Sequence, residues 1–404
     1  MKDVVVKSVE NDEELRQANE LMARAQEANP SDAYAWLNSF GAGYPGYRRE
    51  HTRVALFGSQ VVAALRLTTD TIRIGEARLK MGGLGWVTTD RAWRRKGIIS
   101  RVMTDTMRYM QEQRYHVSMI FDVSEYYQRW GFAAALADYA TVVGLTATDA
   151  SAPERQFKMR PAKPGDIQAM QKMHALNDTD TACSLIRTQA HQANKWNQWE
   201  PVRVLTDGRG KLAAYFRGLH TDSDYTIDEV GVADDDACAG VLNAVIQLAR
   251  ETGAGRLRFA APPSHPLIRQ LHQRPLQQEM ETHGDSNGMM AFANLGEALE
   301  SMIPEWESRL TKTLPAPPHA EITLLVGRTA WRVRAHHGAV DVSPGSGGNK
   351  VGVSAQELIQ LTVGHRDLEE VLATKRRIVN AEGMALLHAM FPRRVPYVWV
   401  LDRF

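Results

Sequence analysis

Residues 84–100, Leu84-Gly85-Trp86-Val87-Thr88-Thr89-Asp90-Arg91-Ala92-Trp93-Arg94-Arg95-Lys96-Gly97-Ile98-Ile99-Ser100, decide the architecture of the chain. Leu84 to Thr89 reads as a strand, Asp90 to Lys96 as a basic connection, and Gly97 opens an apolar-periodic segment. There Ile99, Val102, Met103, Met107 and Met110 share one face, which predicts a helix lying on a sheet. Val117 to Val123 reads as the next strand. A strand, helix, strand order with glycine at the helix entrance predicts α/β structure.

A helix N-terminus offers unpaired backbone N–H groups and partial positive charge, and a glycine there lets a phosphate approach the backbone. Arg94-Arg95-Lys96-Gly97-Ile98-Ile99 adds cations to that arrangement, and Arg91 and Arg101 add more nearby. The same hexapeptide also suits a solvated basic turn; its position after a strand favours the anion-binding reading.

Upstream, Asp3 to Ser8 is a strand, and Asn11 or Asp12 can cap a helix to about Glu27 with Leu15, Ala18, Leu21, Met22 and Ala25 inward. Gly41 to Gly46 is a loop. Arg53 to Phe57, Gln60 to Thr68 and Thr71 to Ile74 form an antiparallel meander turned at Gly58-Ser59. Downstream, Ala147 to Glu154 reads as a linker, after which the order partly recurs: strands Leu212 to Phe216 and Tyr225 to Val232, helix Ala237 to Glu251, strand Arg256 to Ala260. Its helix entrance, Ala233-Asp234-Asp235-Asp236, repels anions. From about residue 291 a hairpin-rich β region follows (Glu321 to Val326, Trp331 to Ala335, Ala339 to Val342), then helices, one opened by the capping box Ser354-Ala355-Gln356-Glu357. The last residues, through Tyr397, Trp399 and Phe404, stay apolar, which predicts a docked tail. The expected domains are 1–150, 151–290 and 291–404.

The composition agrees. A chain of 404 residues with 44% hydrophobic and 24% charged residues supports several cores and excludes disorder. A formal net charge of +1 removes the footprint of a dedicated nucleic-acid binder. Cys183 and Cys238 fit neither a disulfide framework nor a zinc spacing, so a reducing, cytoplasmic setting is expected. The first residues show no apolar leader, and no run approaches the roughly 18 apolar residues of a membrane span. His336 and His337 are adjacent on a hairpin, where side chains diverge, so no metal is expected. Cys238 reads as helix packing. Trp36 and Phe40 suit an aromatic pocket wall or core packing equally.

Arg94 and Gly97 stand at the defining positions of the pyrophosphate loop of GNAT acetyltransferases, which this stretch resembles. Ile99 replaces the family's usual small residue. A basic run, a glycine and two aliphatics resembles the loop of the Eis-like (enhanced intracellular survival) N-acetyltransferases. Tyr127-Gln128-Arg129-Trp130-Gly131-Phe132 is similar to the family's aromatic stretch after the fifth strand, with Trp130 for Phe. The aromatic tail ending at Phe404 is similar to the Eis-like tail, whose terminal carboxylate returns to the active site.

The resemblance implies an α/β (α+β) fold of tandem GNAT-like domains, the second degenerate, followed by a sterol-carrier-protein-like C-terminal domain. It implies acetyl-CoA as cosubstrate, held by Val87, Thr88 and Thr89, by Arg94, Arg95, Lys96, Gly97, Ile98, Ile99 and Ser100, and by Val123 and Ser124. It implies Tyr127 as general acid toward the coenzyme A thiolate, with neighbouring Tyr126 as an alternative, and Phe404 as the base. The implied acceptor is a primary amine of an aminoglycoside-like or polyamine-like molecule, or a lysine side chain. Direct transfer without an acyl-enzyme, no nucleic-acid partner and a homo-oligomer, hexamers being common in the family, complete the expectation. A non-catalytic coenzyme A or lipid carrier on the same scaffold, and transfer to an acceptor other than an amine, stay open at this level.

Overall fold

A computed structural model of the chain describes residues 3–25, 29–121, 124–145, 153–221, 223–281, 288–312, 319–373, 375 and 377–404. Its strands are β1 (Val4–Ser8), β2 (Thr52–Phe57), β3 (Gln60–Ile74), β4 (Ala77–Thr89), β5 (Val117–Phe121), β6 (Ala133–Ala134), β7 (Asp138–Gly144), β8 (Lys158–Pro161), β9 (Val202–Thr206), β10 (Leu212–Thr221), β11 (Asp224–Val232), β12 (Arg256–Phe259), β13 (Gln277–Glu281), β14 (Gly288–Phe292), β15 (His319–Val326), β16 (Thr329–His336), β17 (Ala339–Pro344), β18 (Lys350–Val353) and β19 (Arg377–Ile378). They form three sheets in a mixed α/β fold.

The chain divides into two compact units, the first made of Met1–Ala135, Gly284–Arg393 and Phe404, the second of Leu136–His283 and Arg394–Arg403. The first unit holds the sheet β1-β2-β3-β4-β5-β14-β6 and the sheet β17-β16-β15-β18-β19. Helix α1 (Asp12–Arg24) starts where Asn11 Oδ1 accepts from the Glu14 N–H at 2.9 Å. With α2 (Pro30–Gly43) it covers one face of the first sheet, packing Ala18, Leu21, Met22 and Leu37 against Val54, Leu56 and Ala64. Helix α3 (Ile98–Glu112) covers the other, packing Val102, Met103 and Met110 with Leu65, Leu67, Leu84 and Ile120. Three-and-four spacing on the helix and alternation along the strands produce both contacts.

The second unit holds the sheet β13-β7-β12-β11-β10-β9-β8. The helix Asp235–Glu251 buries Val241, Val245 and Ala249 in a core with Phe216, Ile227 and Leu257. Its entrance is closed by its own acids: Asp234 accepts from the Ala237 N–H at 2.9 Å, and Arg155 pairs with Asp234 and Asp236.

The two seven-stranded sheets share one plan, and each takes one strand from an unexpected part of the chain. Between β5 and β6 stands β14; between β12 and β13 stands β7. The expected boundaries at 150 and 290 therefore differ from the sheets. Asp138–Gly144, expected in the first domain, pairs with β12 and β13, and Gly288–Phe292, expected in the second, pairs with β5 and β6. The physical reason is that a strand's alternation names its faces and leaves its hydrogen-bonding neighbours open. Of residues 291–404, expected as a separate domain, those up to Arg393 and Phe404 group with the first unit and Arg394–Arg403 with the second; in the first, Gln360 Nε2 donates to the Ala134 carbonyl at 2.8 Å. Among the described residues no helix is long and apolar enough to cross a membrane.

Candidate active site

β4 runs parallel to β5 from Met81, opposite Val117, to Leu84, opposite Ile120. Among the described residues the pairing of β4 with β5 runs to Leu84 opposite Ile120, and β4 continues to Thr89 along β3. Toward β3 the register steps from Arg66–Gly85 to Ala64–Thr88, one residue more on β4 than on β3. This is a β-bulge, and Trp86 within it has φ +58°, a left-handed conformation rare for a bulky residue. Trp86 packs on Trp36, ring centroids 5.1 Å apart, while Val87 packs toward the α3 side. Of the two readings of Trp36, the structure gives it both a core neighbour and a place beside β4. Thr88, Thr89 and Arg94 line a hollow of about 320 Å³, walled also by Leu21, Arg24, Asp90 and Arg91.

The basic loop follows directly. Asp90 accepts from the Ala92 N–H at 3.0 Å, and Arg94 Nε donates to the Thr89 carbonyl at 3.3 Å, folding the segment back on the strand end. Arg95 and Gly97 have φ +61° and +70°, and α3 begins with no side-chain cap. Its first bond is from the Arg101 N–H to the Gly97 carbonyl, so the N–H groups of Ile98, Ile99 and Ser100 precede the helical ladder. A Cβ on Gly97 would meet no atom within 4 Å, which leaves this backbone open to a ligand. Arg94, Arg95 and Lys96 are exposed, with the Lys96 ammonium 4.7 Å from the Trp93 ring centre. Ile98 points into the core and offers only backbone. Arg101 differs from its expected part: its Nη2 donates to the Val4 carbonyl at 2.7 Å, because one helical turn carries it from the entrance to β1.

The two tyrosines separate. Both lie on the short helix Ser124–Tyr127 after β5, with Ser124 at its start. Val123 lies outside the described residues. Tyr126 is half-buried and its hydroxyl stands 3.0 Å from Ser100 Oγ, at the mouth of α3. Tyr127 is 4% exposed and sits in the α3-side core with Leu84, Ile98, Ile120 and Phe132.

Phe404 reaches the same strands from the opposite face. A Cβ on Gly82 would meet Met110 and Tyr115 on the α3 side, whereas one on Gly83 would meet Thr68 Oγ1 and, at 2.6 Å, the Phe404 ring. The Phe404 ring is edge-on to Phe121 at 5.6 Å, and its carboxyl carbon lies 3.1 Å from where a Cβ on Gly85 would stand. Tyr127 thus belongs to the α3-side core, while Phe404 lies on the opposite face of β4 against Gly83 and Gly85. Sequence reasoning missed the part of Gly83 and Gly85. The signal was present, since glycines inside a strand mark a close approach.

Residues 6–135 match the profile of the acetyltransferase (GNAT) domain family. No match is found among curated proteins by sequence. Among solved structures, a GCN5-related N-acetyltransferase from Anabaena variabilis is similar at TM-score 0.75 and 16% identity, covering 99% of this chain and 100% of that one. One from Kribbella flavida is similar at TM-score 0.73 and 16% identity, covering 100% and 99%. Eis1 from Mycobacterium abscessus is similar at TM-score 0.69 and 12% identity, covering 99% and 100%. These likenesses concern the fold alone; the family assignment rests on the profile match and covers residues 6–135, an acetyltransferase (GNAT) domain.

Proposed function

We propose that the chain transfers an acetyl group from acetyl-CoA directly to a primary amine, of an aminoglycoside-like or polyamine-like molecule or of a lysine side chain. The observation that carries this reading is the seat of the Phe404 carboxyl against Gly85, where β4 runs beyond its pairing with β5.

The residues present fit acetyl-CoA. The uncapped N–H groups of Ile98, Ile99 and Ser100, the exposed cations and the open approach at Gly97 suit a diphosphate. The stretch of β4 from Val87 to Thr89, beyond its pairing with β5, suits an extended arm that adds to a strand edge. Bound there, the cosubstrate supplies an activated acyl group. The protein orients it, and backbone N–H groups of that stretch of β4 steady the charge that develops on the acyl oxygen.

An alkylamine has a pKa of about 10.4 and is protonated at neutral pH, so attack requires a proton acceptor. In a chain ending at Phe404 the carboxyl is an α-carboxylate, ordinarily of pKa about 3.5. It attracts the ammonium and takes its proton through a bound water. Asp70 lies two residues from Thr68 on the same face of β3 and accepts from the Tyr44 hydroxyl at 2.6 Å, adding a second carboxylate that favours a cationic acceptor. On the other face Tyr127 donates a proton to the departing thiolate, whose conjugate acid resembles a thiol of pKa about 8.5.

We read the sheet β8–β13 with β7 as a degenerate GNAT-like copy, on its shared strand plan and acid-capped helix, and the part of the first unit built on the sheet β17-β16-β15-β18-β19 as the sterol-carrier-like part. The same family resemblance supports a cytoplasmic homo-oligomer, which sedimentation analysis tests.

The deciding experiment compares the chain with one extended by several residues beyond Phe404. Thiol release from acetyl-CoA on adding amines should fall by about two orders of magnitude, the scale of losing a general base, with acetyl-CoA affinity unchanged. Full activity in the extended chain overturns the tail as base. Stabilisation by lipids alone, without thiol release, overturns the enzyme reading in favour of a carrier.

A further inference from the structure

The imidazoles of His319, His336 and His337 converge on the sheet β17-β16-β15-β18-β19. From sequence, His336 and His337 diverge as neighbours on a hairpin. Two features reverse this. His319 on β15 is the register partner of His336 on β16, so those side chains share a face. His337 and Gly338, at φ +49° and +85°, form the two-residue turn between His336 and Ala339, and the left-handed backbone turns the His337 ring back toward the pair.

The rings form a triangle with centroid separations of 4.5, 4.9 and 4.4 Å. His319 Nδ1 and His336 Nδ1 are 2.7 Å apart, and one ligand atom from each of the three lies within 4.8 Å of the others. All three are exposed, so packing does not hold them together. We propose that His319, His336 and His337 form a binding site for a borderline divalent transition ion of the zinc type.

Imidazole nitrogen is the ligand that Zn²⁺, Cu²⁺ and Ni²⁺ share. Zinc–nitrogen distances of about 2.0–2.1 Å in tetrahedral geometry place ligand nitrogens about 3.3 Å apart. The Nδ1 pair reaches this spacing from 2.7 Å by small rotations of exposed rings. Three imidazoles leave a coordination position for water or an anion, the arrangement of an exchangeable rather than a closed structural site. His319 and His336 also line a hollow of about 710 Å³ whose walls carry Glu321, Arg334, Asp341 and Glu382. Arg334 donates to Asp341 at 2.6 Å there, so the hollow offers polar groups to a small ligand on the ion. The site stands apart from the helix mouth and does not depend on the acetyl-transfer reading.

The test is calorimetric titration of the full chain, free of any affinity tag and stripped with chelator, with Zn²⁺ alone. The proposal expects one ion per chain, with affinity reduced roughly tenfold or more in His336→Ala and again in His337→Ala. His319→Gln, which keeps a polar side chain on the strand, should weaken binding by a similar factor. Absence of stoichiometric binding, or affinity unchanged from the parent chain in both His336→Ala and His337→Ala, overturns it and leaves the His319–His336 contact as a shared proton.

Discussion

The carboxyl carbon of Phe404 lies 3.1 Å, and its oxygen 3.3 Å, from the position a Cβ would take on Gly85. A methyl group at Gly85 therefore presses on the group assigned as base. At Gly83 the intrusion is larger, because it meets Thr68 and the Phe404 ring together. Gly83→Ala is expected to displace the tail and reduce transfer on the order of 10²-fold, the scale of an ångström-sized misplacement. Gly85→Ala should reduce it less. Steady-state kinetics with parallel acetyl-CoA binding checks this: a loss confined to acetyl-CoA affinity would contradict the assignment.

Tyr127→Phe removes the hydroxyl of a buried tyrosine in the α3-side core and leaves its ring contact with Phe132 in place. Turnover should fall by about 10²-fold or more, with little change in KM for acetyl-CoA. Tyr126→Phe should behave oppositely, because its hydroxyl meets Ser100 at the mouth of α3: a modest rise in KM and near-normal turnover. If Tyr126→Phe is the variant that loses turnover, the acid role moves to Tyr126.

These contrasts show what the sequence carries and what it withholds. α1 was legible because Asn11 and the spacing of Ala18, Leu21 and Met22 are local signals. The mouth of α3 was legible because Gly97 and three adjacent cations sit directly before an amphipathic run. The bulge at Trp86 was not, because tryptophan is an unusual residue for φ +58° and the extra residue appears only against β3. The convergence of His319 with His336 required the register of two strands separated by a turn, which alternation alone leaves open. The exchange of β7 and β14 was hidden for the same reason.

In the second unit, the Arg187 side chain is fully buried between two carboxylates: its Nη1 and Nη2 donate to Glu229 at 2.8 and 2.9 Å, and its Nε and Nη2 to Asp402 at 2.9 and 2.8 Å. Tyr215 adds a hydroxyl donor to Glu229 at 2.8 Å. Burial alone would raise the Asp402 pKa, but the Arg187 charge and hydrogen bonds hold it below the usual carboxylate value. Arg187→Met strands both carboxylates and should destabilise the unit by about 3–5 kcal/mol, the range for breaking a buried ion pair. Arg187→Lys should recover only part, since one ammonium cannot serve both carboxylates as a fork does. Urea unfolding measures it; a change below about 1 kcal/mol would show that the cluster is not a stabilising clamp.

His265 caps the helix Pro266–Leu271 by accepting the Leu267 N–H on Nδ1 at 3.2 Å, which requires that nitrogen to be unprotonated. Burial holds its pKa down at about 4; Asp178 pulls it up, and His174 pushes it further down. The ordinary value, about 6.5, applies in the unfolded chain. Between those values the unfolded chain binds more protons, so stability is complete above about pH 6.5, declines as pH falls toward 4, and levels below it. A shift from about 6.5 to about 4 corresponds to about 3 kcal/mol across that window. His265→Asn keeps a side-chain cap without a titrating group and should remove that share of the pH dependence. Urea titrations at pH 7, 5.5 and 4 decide the matter, and an unchanged slope in the variant would assign the acid sensitivity to other groups.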